Sequence, residues 1–298
     1  MNAYIISYFG QQRDIKNFRI SFHYQQLCSL LKQQGLQHIH ILAMDYDDTP
    51  SVSLKSDYLL LDHPRIHYHY SALVPPSQAR NQLIDVFGAS DDDWGLFLDN
   101  DAAIDHRLQG GIVIPVLEKN KSRLNLECDV IVPYSPRHQA WSQWVDQHRE
   151  QMQTHLPIER SNYLKTSVFF LKNRQKLQQP VIYFDAELRE LEDYEYVPRV
   201  LSQGGSIWQL PTVLMWEWGL NTSTLFNTNT QDNEEQHQLR ALNRDSIRQN
   251  ILEKYAPYGA VKNGNKINYM RMQRHSRPRE IWLPIAEDRW GNDLFSIE

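Results

Sequence analysis

The sequence has few of the residues and runs that mark several common protein classes. Its two cysteines, Cys28 and Cys128, exclude a disulfide scaffold and a cysteine-rich zinc site. Its 12 glycines and 14 prolines among 298 residues exclude collagen-like and low-complexity chains. A net charge of −5 excludes a protein that coats nucleic acid with a wholly basic surface.

Long apolar runs and targeting signals are also missing. No stretch approaches the roughly 18 apolar residues that span a bilayer, so no membrane span is predicted. The first residues, Met1 to Phe9, are apolar but lack a basic start and a small-residue cleavage site. We therefore expect a cytoplasmic protein.

Hydrophobic residues make up 41% of the chain, which is enough for a packed core. An apolar run over residues 3–9, helically spaced apolar residues up to Gly35 and a second apolar run over residues 38–44 predict a strand, a helix and a strand. This order predicts a βαβ unit and therefore a parallel sheet in an α/β fold. Further strands are predicted over residues 66–70, 94–98, 130–133, 167–171 and 207–210.

Prolines help to position two later helices. Ser77 follows a proline pair and is predicted to cap a helix over residues 78–87. A proline is tolerated best in the first turn of a helix. Pro198 therefore predicts a helix that begins near Glu195 and not at Glu192.

A buried strand runs directly into two carboxylates, Asp99 and Asp101, with Asn100 between them. In an open α/β sheet, ligands bind beyond the carboxyl ends of the strands. Two carboxylates there repel each other unless a cation lies between them, and Mg²⁺ or Mn²⁺ takes oxygen ligands while leaving positions for phosphate. The pattern is typical of a site for a metal-bound nucleotide diphosphate, although a short Asp-x-Asp also occurs in solvated turns.

Other polar residues stand where a ligand of such a sheet would lie. Asp45 and Asp47 follow the second strand, where a carboxylate accepts hydrogen bonds from a nucleobase or ribose. Arg80 lies near the start of a helix, where a guanidinium and free N–H groups meet phosphate. Glu192 and Asp193 lie beside a helix N-terminus, which keeps a carboxylate ionised and suits a general base. These two acids belong to an acidic run that is also consistent with an exposed surface.

Taken in order, these residues resemble the GT-A fold of nucleotide-sugar glycosyltransferases, in particular its family-2-like members. The resemblance covers roughly residues 3–218 and implies a Rossmann-like α/β fold with a mixed, mostly parallel sheet flanked by helices and a helical C-terminal extension. Its motifs are an opening strand, an acid after the second strand, Ala79-Arg80-Asn81, Phe97-Leu-Asp-Asn-Asp101, and Glu192-Asp193 followed by Arg199 and Gly204-Gly205.

A change to polar residues after about Asn221 predicts how the chain is divided. Residues 1–220 would form the nucleotide-sugar-binding and catalytic domain. Residues 221–298, with an amphipathic helix predicted over residues 234–255, would form a helical and basic extension packed on that domain.

The resemblance implies that the donor is a UDP-sugar. Asp45 or Asp47 would hold its base, and Arg80 would assist the nucleotide or its phosphates. Asp99, with Asn100 beside it, would face the ribose or the donor sugar.

The resemblance also implies a metal and a base. Asp101, with Asp99, would bind Mn²⁺ or Mg²⁺, and His275 is the candidate for a further ligand. Asp193, beside Glu192, would deprotonate the acceptor hydroxyl in an inverting displacement, and the metal-bound diphosphate would be the leaving group.

Charge near the C-terminus bears on the acceptor. The stretch from Lys262 to Arg279 holds six basic residues and no acid, which leaves 25 Lys+Arg against 36 acids in the rest of the chain. One interpretation is a tail that covers the donor diphosphate, with Arg274 as a contact. The other is a face that binds a polyanion such as DNA, with Tyr269 among the basic residues.

The segments AYIISYFG, FLDNDA and FFLKN are similar to those of bacteriophage GT-A enzymes that modify DNA. Those enzymes place sugars on hydroxymethylated pyrimidines, or on a sugar already attached there, and would act in the host cytoplasm. Three alternatives stay open: a glycosyltransferase of glycans or polysaccharides, a phosphatase of the haloacid dehalogenase type, and a non-catalytic module that binds a metal or a nucleotide.

Overall fold

A mixed β-sheet of nine strands is the centre of the molecule. The structure, a computed structural model, describes residues 1–9, 23–45, 63–100, 102–104, 110–134, 150–151, 154–161, 164, 166–213, 215–217, 234–263, 266–272 and 280–285. Its strands are β1 (Asn2–Phe9), β2 (Ile39–Asp45), β3 (Ile66–Ala72), β4 (Trp94–Asp99), β5 (Ala102–Ile104), β6 (Val130–Tyr134), β7 (His155–Arg160), β8 (Val168–Lys172), β9 (Ile207–Val213), β10 (Met215–Glu217), β11 (Val261–Asn263), β12 (Lys266–Asn268) and β13 (Glu280–Pro284).

The strand order of the main sheet is β13-β7-β9-β6-β8-β4-β1-β2-β3. Strand β1 lies between β2 and β4 and is parallel to both, as the predicted βαβ unit requires. Only β7 and β8, among the nine strands of this sheet in the described residues, run against the others. Strands β5 and β10 pair separately, as do β11 and β12. The predicted α/β class with a mixed, mostly parallel sheet is confirmed.

Helices cover both faces of this sheet. They are α1 (residues 23–31), α2 (Pro76–Gly88), α3 (Gly110–Lys119), α4 (Lys121–Glu127), α5 (Glu192–Ser202) and α6 (Glu234–Tyr255). Side chains alternate along a strand, so Ile5 packs in the layer that holds α1 and α3, while Tyr4 packs in the layer that holds α2 and α5. No helix within the described ranges is both long and apolar enough to cross a membrane.

Stacked aromatic rings join the central strands to α5. The rings of Tyr4, Phe97 and Phe169 stack in sequence across β1, β4 and β8, with centroids 5.0 and 5.1 Å apart. Phe184 continues the row and stacks on Tyr196 of α5 at 3.9 Å. All five side chains are buried. Because large buried rings pack in few arrangements, this row fixes α5 against the strand that ends at the acidic turn.

The N-terminus of α2 differs from the prediction. The helix begins at Pro76, and Pro75 is its N-cap residue without a side-chain capping bond. A proline already has the backbone angle of the first helical position, so the helix starts one residue before Ser77. The predicted capping role of Ser77 is therefore wrong. Its hydroxyl is buried and donates to the carbonyl of Leu188 at 2.7 Å.

Helix α5 begins at Glu192 and not near Glu195, so Pro198 lies inside the helix. A proline inside a helix lacks the N–H that would bond the carbonyl four residues earlier, which here is Tyr194. Tyr269 of the C-terminal region supplies a replacement, because its hydroxyl donates to that carbonyl at 3.3 Å. The prediction failed because it considered only local helix rules.

The same contact corrects the predicted role of Tyr269. The residue is 3% exposed and its ring packs edge-on against Tyr194. It is therefore part of the core and cannot stack on an acceptor in this structure.

The substitution Tyr269→Phe tests this replacement hydrogen bond. It keeps the ring packing but leaves the Tyr194 carbonyl without its phenol donor, so we expect the free energy of unfolding to fall by about 1 kcal/mol. Chemical denaturation measures the change. The exposed Tyr258 is the matched control, and Tyr258→Phe should leave the unfolding midpoint unchanged. Equal midpoints for Tyr269→Phe and the parent protein would contradict the assignment.

Residues after 221 contain strands as well as the predicted helix, which spans Glu234–Tyr255. Strand β13 pairs with β7 at one edge of the main sheet. Ile251, Tyr255 and Met272 pack in the core layer of α5. The C-terminal region is thus held both to the sheet and to the helix that carries Asp193.

Candidate functional site

The candidate site lies beyond the carboxyl ends of the neighbouring strands β1, β2 and β4. Strand β2 ends at Asp45 and β4 ends at Asp99. In the pairing register, Asp45 is opposite Phe9 of β1, and Asp99 is opposite Ile6 of the same strand. Parallel strands place their carboxyl ends at the same edge, which is where open α/β sheets bind ligands.

Arg80 joins two of the predicted site carboxylates. Its Nη2 donates to Asp99 Oδ1 at 2.9 Å and to Oδ2 at 3.2 Å, and its Nη1 donates to Glu192 Oε1 at 2.7 Å. The Arg80 side chain is 4% exposed, while Asp99 and Glu192 retain 30% and 13%. The guanidinium also lies over the Phe184 ring, 5.6 Å from its centroid. One buried cation thus links α2, β4 and α5. The contact of Arg80 with phosphate stays a prediction.

The segment before α5 is hydrogen-bonded to α2. The side-chain amide of Asn81 accepts from the Phe184 amide at 2.8 Å and donates to the Phe184 carbonyl at 3.0 Å. Gln78 donates to the Ala186 carbonyl at 3.0 Å. The last residue before the helix, Leu191, has a left-handed backbone with φ 59°. Such a conformation is unfavourable for leucine and persists only where the surrounding contacts hold it.

Asp193 lies in the first turn of α5, beside the Arg80–Glu192 pair. Its Oδ1 accepts from the backbone N–H of Tyr194 at 2.8 Å. Burial raises the pKa of Asp193 to about 6, with a further rise from Glu192 and an opposing effect from Arg80 and backbone N–H groups. A carboxylate with this pKa is ionised at neutral pH but accepts a proton more readily than an ordinary aspartate, which is suitable for a general base.

The described site residues carry more negative than positive charge. Asp99, Glu192 and Asp193 oppose one buried guanidinium, Arg80. An ionised carboxylate has about four acceptor positions, so Asp99 can bind a cation while it also accepts from Arg80. This donor chemistry fits a hard divalent cation. No group of three His, Cys, Asp or Glu side chains among the described residues is arranged to hold a metal ion, so further ligands would have to come from elsewhere.

Several predicted site residues cannot be placed. Asp47, Asp101, Arg274 and His275 lie outside the described residues, and of Asp45 only the backbone is described. Asn100 lies in the turn after β4 and is partly exposed.

Two residues that the sequence analysis did not identify support the site. Glu195 is 1% exposed and accepts from Arg199 Nη2 at 2.7 Å, from Lys254 Nζ at 2.9 Å and from the Tyr255 hydroxyl. Lys254 and Tyr255 belong to α6, so this carboxylate ties α6 to α5. Gln26 is buried on α1 and donates to the backbone of the turn after β4. The available signal for Gln26 was its position four residues before the apolar Leu30, which puts both on one face of a helix.

Comparisons with known proteins add the following. The sequence matches no protein-family model and no curated protein. S. aureus TarS 1–349 in complex with UDP-GlcNAc is 15% identical with a TM-score of 0.44, over 72% of this chain and 58% of that one. GalNAc-T7 with UDP, GalNAc and Mn²⁺ is 14% identical with a TM-score of 0.47, over 71% and 42% of the two chains. This chain therefore spans less than two thirds of the length of each of those two proteins. The similarity to them does not identify the chemistry of this chain.

Proposed function

We propose that this protein is a metal-dependent glycosyltransferase of the GT-A type that transfers a sugar from a UDP-sugar to an acceptor hydroxyl with inversion. One observation carries the proposal: Asp193, with its raised pKa, lies beside the buried Arg80 bridge that joins α5 to the carboxylate at the end of β4. A carboxylate with a raised pKa beside an acidic strand end supports the assignment of Asp193 as the base.

Each group then has a step to perform. Asp193 takes the proton of the acceptor hydroxyl as the acceptor oxygen attacks the anomeric carbon of the donor. The bond between that carbon and the diphosphate oxygen breaks, and its electron pair leaves with UDP. Attack from the face opposite the leaving group inverts the anomeric centre. Arg80 keeps Asp99 and Glu192 in position and lowers the proton affinity of Asp193.

Mn²⁺ or Mg²⁺ would be held by Asp101, Asp99 and His275, and when bound it would neutralise charge on the departing diphosphate. Asp45 or Asp47 would accept hydrogen bonds from the base. Arg274 would contact the diphosphate.

For the acceptor we propose hydroxymethylated pyrimidine in DNA, or a sugar already attached to it. The exposed side chains of Lys262, Lys266 and Arg271 support a surface that meets phosphate. A pyrimidine acceptor would have to leave the base stack to reach Asp193, because a stacked base is sterically blocked. A glycan acceptor is the alternative, since burial of Tyr269 removes one aromatic side chain that DNA binding would have used.

The decisive experiment incubates the protein with a panel of radiolabelled UDP-sugars and Mn²⁺, with and without EDTA. The acceptors are hydroxymethylcytosine DNA, unmodified DNA and a simple glycan. Radiolabel that enters hydroxymethylcytosine DNA, and no longer does so with EDTA, would support the whole proposal. Radiolabel that enters only the glycan would support the alternative acceptor. Phosphate release from a generic ester without any transfer would indicate a phosphatase, and nucleotide binding without turnover would indicate a binding module.

A further inference from the structure

One buried side chain, Gln26, donates hydrogen bonds to the backbone of the turn that follows β4. This residue lies on α1 and is 1% exposed. Its Nε2 donates to the carbonyl of Asp99 at 2.8 Å and also to the carbonyl of Ala102. These carbonyls belong to the first and last residues of the turn, so a single amide group ties the two ends together.

The neighbours determine which way the Gln26 amide faces. Both carbonyl oxygens can only accept, so the NH₂ group must point at them. The Oε1 atom then lies 3.0 Å from Nδ1 of His23, and Nδ1 must carry the hydrogen because Oε1 also only accepts. Burial lowers the pKa of His23 to about 4, so the imidazole is neutral at neutral pH. The hydrogen bonds from His23 through Gln26 to the turn therefore have one consistent direction.

Backbone contacts fix the same turn on its other sides. The amide of Asp99 donates to the Ser167 carbonyl at 2.9 Å. Strand β5 begins at Ala102, which is opposite Glu217 in the pairing with β10. Because the Gln26 amide contacts both turn carbonyls, it can set the separation between them.

We propose that Gln26 is a positioning residue for the acidic end of β4 and that, by holding the backbone of Asp99 and Ala102, it keeps the Asp99 carboxylate in place for a cation and its diphosphate. The proposal rests on the proposed function. The carboxylates of Asp99 and Glu192 share one guanidinium and repel each other, and this repulsion tends to move the end of β4. The Gln26 amide opposes that movement through the backbone, so Asp99 needs little rearrangement when the cation arrives.

The test compares Gln26→Glu with Gln25→Glu, which makes the same chemical change at an exposed position of the same helix. The probe is Mn²⁺ with UDP, and binding is measured by calorimetry at 25 °C after circular dichroism has shown that each variant is folded. A glutamate at position 26 presents a carboxylate to two carbonyl oxygens and loses both donors. We expect Mn²⁺–UDP to bind about 10–100-fold more weakly to Gln26→Glu, and Gln25→Glu to remain close to the parent protein.

Two further measurements separate positioning from a general loss of structure. Protonation returns one donor to a glutamate, so the deficit of Gln26→Glu relative to the parent protein should shrink as the pH falls from 7 to 5. Gln26→Met has a similar size without donors or charge, and its deficit should be the same at both pH values.

The outcomes distinguish the two proposals. Parent protein that binds no Mn²⁺–UDP would overturn the proposed function, and the role of Gln26 with it. Parent protein that binds, together with a folded Gln26→Met or Gln26→Glu that binds equally well, would overturn the role of Gln26 alone. If Gln26→Glu fails to fold, the affinity of Gln26→Met decides.

Discussion

Replacing Asp193 by asparagine is expected to lower the rate of sugar transfer by about 10²–10⁴-fold, because this is the usual contribution of a general base. Asparagine keeps the size of the side chain, and its oxygen can still accept from the Tyr194 amide. Binding of UDP should therefore remain close to that of the parent protein. Glu187→Gln, an exposed change in the same acidic run, serves as the control and should have no effect.

The pH dependence of the parent protein provides a second measurement on the same residue. Burial raises the pKa of Asp193 to about 6, so this proposed base would become protonated and inactive as the pH falls through that value. Turnover under saturating donor should decline below about pH 6 and level off above pH 7. Near-normal turnover in Asp193→Asn would contradict the assignment of the base and would favour a retaining mechanism instead.

Loss of the Arg80 guanidinium is expected to affect both folding and catalysis. Arg80→Met leaves Asp99 and Glu192 close together without their shared cation. Breaking a fully buried ion pair costs about 3–5 kcal/mol, and because both carboxylates are partly exposed we expect a loss of about 2–3 kcal/mol in the free energy of unfolding. Denaturant titration measures it, and Arg189→Met, a change at an exposed arginine, is the control.

The sign of the catalytic effect follows from the electrostatics. Arg80 lowers the pKa of Asp193, so its removal raises that pKa further above 6. The acidic limb of the pH–rate profile should move to higher pH in Arg80→Met. Arg80→Lys should be intermediate, since an ammonium supplies charge but not the planar fork that reaches two carboxylates. An unshifted profile in a folded Arg80→Met would show that the guanidinium does not influence the base.

Those parts of the molecule that depend on neighbouring residues could be predicted from the sequence. Apolar runs predicted β1, β2 and β4, because a buried strand must be apolar on both faces. The acids that follow β4 were also visible in the sequence, because an apolar run that ends on carboxylates is a local feature.

The features that could not be predicted depend on contacts between residues that lie far apart in the sequence. Arg80 and Glu192 are 112 positions apart, and Gln26 and Asp99 are 73 apart. The start of α5 was misplaced because the partner that compensates for Pro198 lies 75 positions from Tyr194. A local rule can state that a carbonyl lacks its donor, but only the folded chain reveals which residue supplies one.

The surplus of carboxylates around Arg80 also bears on the order in which reactants are admitted. Under the proposed function the donor carries the negative charge of its diphosphate, and the carboxylates of Asp99, Glu192 and Asp193, with one guanidinium beside them, would repel a donor that arrives without its metal ion. A donor that arrives with a bound metal ion would not meet this repulsion. The same effect would act on the product, so UDP that has lost its metal ion would be repelled and released from the site.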